Sequence, residues 1–182
     1  IAADDQAFVL RPDDLDDAFF AALAGVLEKR AFVAAHSKEL GQVFAARGAR
    51  MPLPAFDPVL ASYLLHAERD SHALETVSLE ELGRPLPGPQ EASSDAVAAR
   101  ARAAQEAANL LAPRIDEQGL RTLLDDVEIP LARLLGEMER TGVPVDGEAL
   151  GRLSVELGHD LQRLEKSILD AAWYKAREFI RY

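Results

Sequence analysis

The apolar positions Leu120, Leu123, Leu124, Val127, Leu131, Leu134, Leu135 and Met138 recur every three or four residues, which places them on one side of a helix. Thr141-Gly142 supplies its stop, because glycine accepts the left-handed conformation that ends helices. After a short extended connector, Val143 to Asp146, a second stripe runs Leu150, Leu153, Leu157, Leu161, Leu164, Ile168 and Ala171. Two amphipathic helices therefore flank one joint, and the simplest reading is a hairpin that packs its own core. The first helix spans Asp116 to Arg140 and contains Pro130, whose missing backbone donor predicts a kink near Asp126.

Upstream the pattern changes. Ala2 to Leu10 reads as two short strands about an Asp4-Asp5-Gln6 turn, Ala7 to Leu10 being the second. Pro12-Asp13-Asp14 opens a helix whose inward face is Leu15, Phe19, Leu23, Val26 and Leu27. The unbroken apolar run Ala31 to Ala35 has the signature of a strand covered on both faces. A helix from Ser37 to Arg47 follows, with Leu40, Val43 and Phe44 inward. This order predicts an α/β layer with helices packed on a small sheet.

Met51 to Phe56 carries too many prolines for a central strand. Asp57-Pro58 is a helix start, since the carboxylate caps and proline fits the first turn; Val59, Leu60, Tyr63 and Leu64 form the stripe. Ser71 to Leu82 is another short helix, and Gly83 to Ser94, with Pro85, Pro87 and Pro89, reads as a mobile loop. Ser94 or Asp95 caps an alanine-rich helix, Ala96 to Ala112, which Pro113 ends. Its face (Val97, Ala101, Ala104, Ala108, Leu111) buries little area, so it is expected to be weakly held.

A chain of 182 residues holds one domain, or one domain with an appendage. The absence of cysteine excludes a disulfide scaffold and any thiolate metal site. No apolar run approaches the ~20 residues that span a bilayer, and no signal-peptide pattern occurs, so the expectation is a cytoplasmic protein. The chain starts at Ile1 within what reads as a strand, as a fragment would.

A formal charge of −11 argues against nucleic-acid binding by the overall field, because phosphate neutralisation needs clustered Lys and Arg. Asp4, Asp5, Asp13, Asp14, Asp16 and Asp17 crowd one end, as a solvated loop and helix start. Arg152, Arg163, Lys166, Lys175, Arg177 and Arg181 make the last helix the most basic region; salt bridges along a solvated helix are the plainer reading. His36, His66, His72 and His159 lack zinc-site spacing, and no Walker loop, dinucleotide loop or catalytic triad occurs.

Two phrases carry a family likeness. One is Ala55-Phe56-Asp57-Pro58-Val59-Leu60-Ala61-Ser62-Tyr63-Leu64-Leu65, continued by Ser71-His72-Ala73-Leu74-Glu75 and Leu79-Glu80-Glu81-Leu82-Gly83. The other is Glu128-Ile129-Pro130-Leu131, then Leu134-Leu135-Gly136-Glu137-Met138-Glu139 and Gly142-Val143-Pro144-Val145-Asp146. In this order they resemble the 3′–5′ exonuclease-like domain and the start of the polymerase region in the family-A DNA polymerases of bacteria. The likeness covers about Val33 to Ala172.

It implies a ribonuclease-H-like α/β fold without its first strand, followed by long helices of the thumb base. The implied domains are 1–115 and 116–182. It also implies a DNA-directed polymerase as parent: monomeric, at the nucleoid, off the membrane, and dependent on magnesium. Primer–template DNA would be its partner, with deoxynucleoside triphosphates bound outside this chain.

Exonucleases of this family cut by a two-metal mechanism, with carboxylates holding the ions. The first pair of acids would precede Ile1. At the second motif His36 stands where the family has asparagine, and Leu40 where it has aspartate. At the third, Ala101 stands at the tyrosine and Gln105 at the aspartate. Glu106 is adjacent, but one helical residue turns it about 100° away. Leucine cannot ligate magnesium and a neutral amide replaces a carboxylate poorly.

The expectation is an inactive proofreading domain with a structural role, and no catalytic or metal residue in this chain. The thumb likeness makes Arg152, Arg163 and Lys166 candidates for DNA contact. Trp173 to Tyr182 departs from the family, which continues with glycine and Phe-Asn-x-Asn-Ser. An alternative is a free-standing interaction module that docks through this aromatic tail.

Overall fold

Alanine, not leucine, builds the centre of this chain. The computed structural model describes residues 1–3, 6–7, 9, 15–88, 90–91 and 93–179, with backbone alone at 2–3, 6–7 and 174–179. It divides into two compact units, Ile1–Thr141 and Gly142–Tyr182. In chain order the elements are β1 (Ala2–Ala3), β2 (Gln6–Ala7), α1 (Asp17–Leu27), α2 (Ser37–Ala46), α3 (Pro58–Leu65), α4 (Leu74–Glu81) and α5 (Ser94–Glu117). Then come α6 (Arg121–Leu123), a π-helical turn (Leu124–Glu128), α7 (Ile129–Thr141) and α8 (Gly147–Phe179).

The main core is formed by Phe56, Ala61, Val77, Ala107, Ala108, Leu111, Ile115, Leu124 and Ile129. Helix α5, expected to be weakly held, is its spine. Ala103, Ala104, Ala107, Ala108, Leu111 and Ile115 are all buried on it, because small side chains let α3 and α4 approach closely. Ser93 caps it, accepting from the Ala96 N–H at 3.2 Å. Pro113 does not end it. The proline lies on the exposed side, as does Asn109, whose carbonyl loses its partner there, and the helix continues to Glu117. Gly119, at φ +68°, makes the break instead.

The loop expected to be mobile is fastened. Arg100 on α5 donates to the carbonyls of Glu91 (3.1 Å), Pro87 (2.9 Å) and Gly88.

A second core joins α1 to α2 through Phe20, Phe44 and Met51, with the Phe20 and Phe44 rings edge to face at 5.3 Å. The inward face expected for α1 packs on this core at Leu15, Phe19, Leu23 and Leu27 and departs only at Val26; that expected for α2 is turned. Phe20, not Val26, is buried on α1; on α2 Phe44 is buried while Leu40 and Val43 are exposed. Helix α2 is oriented by packing against α7. A Cβ on Gly136 of α7 would meet Lys38 Cγ at 3.3 Å, so glycine permits the approach.

The predicted sheet is a correction. Among the described residues, β1 and β2 form a two-residue antiparallel pair, and Ala31 to Ala35 supplies one parallel bridge, Val33 to Phe56. The bridge is held by Ala34 N–H to Phe56 O (3.0 Å) and Ala55 N–H to Phe32 O (2.9 Å). Pro52 and Pro54 have no N–H to extend it. The Asp4-Asp5 turn, Phe8 and Leu10 of the expected second strand, and the Pro12-Asp13-Asp14 helix start lie outside the described residues. So does Arg181 of the tail, as do the side chains of Lys175 and Arg177.

Pro130 acts near the predicted place, but by a change of helix register. The Ile129 N–H bonds to Leu124 O, five residues back, in the turn where Pro130 offers no donor to Asp126. The extra residue aligns Leu124, Ile129, Ala132 and Gly136 inward. The leucine stripe expected to be core is exposed instead: Leu131, Leu134, Leu135 and Met138 are 40–58% accessible.

The second unit is α8. Asp146 caps it, accepting from the Ala149 N–H at 2.9 Å, and Gly142 (φ +75°) ends α7 as predicted. Its stripe, from Leu150 to Ile168, is exposed throughout. Among the described residues no helix is long and apolar enough to cross a membrane.

Helices α3, α4 and α5 are also clamped by charge. The Glu81 carboxylate, 7% exposed, lies 2.6 Å from Arg114 Nη1, 2.8 Å from Arg69 Nη1 and 3.2 Å from His66 Nε2. Burial pushes this carboxyl up, but the two guanidiniums outweigh it and hold it below the ordinary glutamate value. A depressed carboxyl contributes stability above its unfolded pKa and loses it as pH falls through the folded one. The stability gap between wild type and Glu81→Gln should therefore be full at neutral pH and close in acid; urea melts across pH 3–7 read this. Gly136→Leu, which drives a side chain into Lys38, should cost about 1–3 kcal/mol in the same assay.

Candidate functional site

The His36-to-Leu40 segment begins α2, and its geometry is set by one carboxylate. Asp57, 1% exposed, accepts from the Ser37 N–H through Oδ2 at 2.8 Å and from the Val59 N–H through Oδ1 at 2.9 Å. One aspartate thus caps two helices, α2 and its own α3. To bring Ser37 N–H into line, His36 adopts a left-handed conformation (φ 57°, ψ 50°). Burial raises the Asp57 carboxyl above the ordinary aspartate value, against the amide bonds that favour its ionised form.

His36, Glu39, Asp57 and Glu128 line one cleft of about 240 Å³, with Leu60 and Leu135 among its walls. Among the described residues, however, no group of three or more His, Asp or Glu is placed to hold a metal ion. Leu40 is 40% exposed on α2.

Ala101 and Gln105 lie on α5. The Gln105 amide donates to Asn109 Oδ1 at 3.2 Å, and Gln105 lines a different depression, with Phe56, Asp116 and Arg121. Asp116 is taken by Arg121, whose hydrogen bonds at 2.8 and 3.1 Å hold the carboxyl below its ordinary value. Glu106, as its position one residue on requires, turns away and pairs with Arg84. The four degenerate positions therefore do not meet in one cleft.

On α8, Arg163 lies 3.0 Å from Asp160 and Arg152 lies 3.9 Å from Glu148. At about 100° per residue, Arg152, Arg163 and Lys166 fall within an arc of about 60°, on the side of the helix opposite the leucine stripe.

Sequence reasoning missed two features. It read Asp57 as the cap of α3 alone, and nothing local marks Ser37, twenty residues earlier, as a second donor. It noted of His66 only that it lacks zinc-site spacing, and the Glu81 network joins residues up to 48 apart.

No protein-family model matches the chain. Among curated proteins it is similar to the thermostable DNA polymerase I of Thermus filiformis, 35% identical over 151 residues, covering 83% of this chain and 16% of that protein. DNA polymerase I of Deinococcus radiodurans is 32% identical over 168 residues, 92% of this chain and 16% of that one. That of Pseudomonas aeruginosa is 31% identical over 186 residues, 88% and 20% respectively. Among solved structures, the polymerase domain of Pol1 from M. smegmatis, in complex with DNA primer-template and dNTP, matches with a TM-score of 0.66 at 28% identity. That match covers 79% of this chain and 25% of the other.

This chain belongs to the family of bacterial DNA polymerase I. It spans one fifth or less of the length of these curated relatives: 16%, 16% and 20%.

Asp57→Ala leaves the buried Ser37 and Val59 amides without acceptors and should cost about 1–3 kcal/mol. Because the folded carboxyl is raised, the contribution of Asp57 is largest below the unfolded pKa and declines as pH rises through the folded one. The gap between wild type and variant should narrow over that window in denaturant melts taken from pH 3 to 8.

Proposed function

We propose that this chain is the part of a bacterial DNA-directed DNA polymerase that carries an inactive 3′–5′ exonuclease-like domain and the first thumb-base helices. Residues 1–115 are the exonuclease remnant, of ribonuclease-H-like descent without its first strand. Residues 116–182 are the connecting helices and the start of the thumb. The parent works in the cytoplasm at the nucleoid, as a monomer, on primer–template DNA and deoxynucleoside triphosphates.

The observation that carries this reading is the chemistry of four positions. His36, Leu40, Ala101 and Gln105 offer no carboxylate, and Asp57, buried at the start of α2, spends both oxygens on backbone amides. A two-metal nuclease needs free, convergent carboxylates. These residues do not fit a magnesium pair, so magnesium belongs to the parent's polymerase site and to no step here. The role of the segment is support: α5 is a rigid spine, and the exposed stripes of α7 and α8 are where the rest of the parent packs.

On α8, cations opposite an apolar stripe would face outward once that stripe is covered. This favours Arg152, Arg163 and Lys166 as phosphate contacts. In the alternative, the interaction module, a separate protein is bound through the aromatic tail, Trp173 to Tyr182.

The full-length protein should extend a primer with Mg²⁺ and deoxynucleotides, yet remove nothing from a 3′-labelled single strand. Metal-dependent loss of 3′ nucleotides would overturn the inactive reading; no primer extension would favour the module.

A further inference from the structure

Several guanidiniums of the first unit have carboxylate partners. Arg69 meets Glu80 and Glu81, Arg84 meets Glu106, Arg100 meets Glu75, and Arg121 meets Asp116. In a chain of charge −11 acids are plentiful, so pairing is the expectation. One place reverses it. Between α2, the segment 48–54 and α7 lies a cleft of about 380 Å³, lined by Lys38, Arg50, Arg133 and Arg140.

Glu137 is the one acid on its wall, and nearby Glu139 is already held by Lys38 Nζ and Gln42 Nε2, both at 2.7 Å. The Arg50 and Arg140 side chains have no ion pair or hydrogen bond among the described residues. Arg133 is half-buried and donates to Met51 O at 3.0 Å, leaving its charge without an acid in contact. Burial and the neighbouring Arg50 charge make its guanidinium easier to deprotonate than usual, against the smaller opposing pull of Glu137.

Like charges gathered along one groove, with Arg133 half-buried among them, cost free energy unless an anion joins them. Three guanidiniums match a group with several acceptor oxygens and two negative charges, which is a phosphate monoester and not a carboxylate. Much of the remaining wall is apolar or glycine, including Met51, Pro52, Pro54, Ile129, Gly41 and Gly136, with Ser37 and Gln42 as its neutral polar members. That suits a compact organic body beside the charged head, and the volume lies in the range of small-molecule sites.

We propose that this cleft binds a small phosphomonoester, or inorganic phosphate, through Arg50, Arg133 and Arg140. The site shares no residue with the degenerate positions His36, Leu40, Ala101 and Gln105, and it does not depend on the polymerase reading.

The test is an amide NMR titration of the chain at fixed ionic strength. Separate arms use inorganic phosphate, a nucleoside 5′-monophosphate and a dinucleotide that carries only a phosphodiester. Saturable shifts of the Gly41, Gly48 and Gly136 amides are expected with the first or second arm, and the tighter arm names the source. Arg50→Gln and Arg140→Gln should each raise the apparent Kd about tenfold, and the remote Arg30→Gln should leave it unchanged. Three results would each overturn the site: no saturable shift, binding of the diester alone, or wild-type affinity in both cleft variants.

Discussion

The constraint on which the first unit depends is the double use of Asp57. Two helix N-termini each present unpaired amides, and burying either without an acceptor would cost more than most single contacts return. One carboxylate answers both, so the start of α2 and the start of α3 are fixed to the same point. The Val33 to Phe56 bridge, flanking that point on both chain segments, aligns the approach. From there α2 runs to α7 and α3 runs to α5. Burial raises the carboxyl, and the amides offset that cost without abolishing it. The fold accepts a strained ionisation for a geometry that no neutral side chain supplies as well.

Much of the fold was legible because its signals are local. Asp57-Pro58, Thr141-Gly142 and Asp146 are helix boundaries written within four residues, and all three stand where the sequence puts them. Which face of a helix is covered is not local. α1 adds Phe20 to the face read for it and leaves Val26 exposed, and α2 turns on Phe44 and not Leu40, because their neighbours decide. Helix α7 carries two candidate faces, a bulky one (Leu131, Leu134, Leu135, Met138) and a small one (Ile129, Ala132, Gly136). Hydropathy favours the bulky face; packing against α2 takes the small one, where glycine at 136 leaves room for the Lys38 side chain. The same oversight made α5 look weak, where its alanines are what lets three helices share one core.

The candidate site divides in the same way. Substituted positions such as Leu40 and Gln105 can be read from a family likeness, because what matters is which side chain stands there. Whether those positions converge cannot be read so, and Gln105 and His36 line different depressions. The ion network on Glu81 and the gathering of arginines in the α2–α7 cleft were likewise invisible. A helical sequence spaces charges by turns, whereas these groups meet across elements 12 to 82 residues apart.

The distribution of apolar bulk then says what kind of object this is. A self-sufficient domain places its leucines inside, since burying one is worth about 1.5–3 kcal/mol. Here the fully buried interior is rich in alanine, with Leu111, Ile115 and Leu124 its largest members, while Leu131, Leu134 and Leu135 on α7 and the whole stripe of α8 stand exposed. Alanine burial suffices to hold α3, α4 and α5 together because Asp57 and Glu81 remove the polar penalties that a thin core could not carry. The larger hydrophobic term is left over, directed outward from two helices. Under the proposed function that surplus is the adhesive surface for the remainder of a polymerase, and the rigidity of the alanine spine is what keeps it in place.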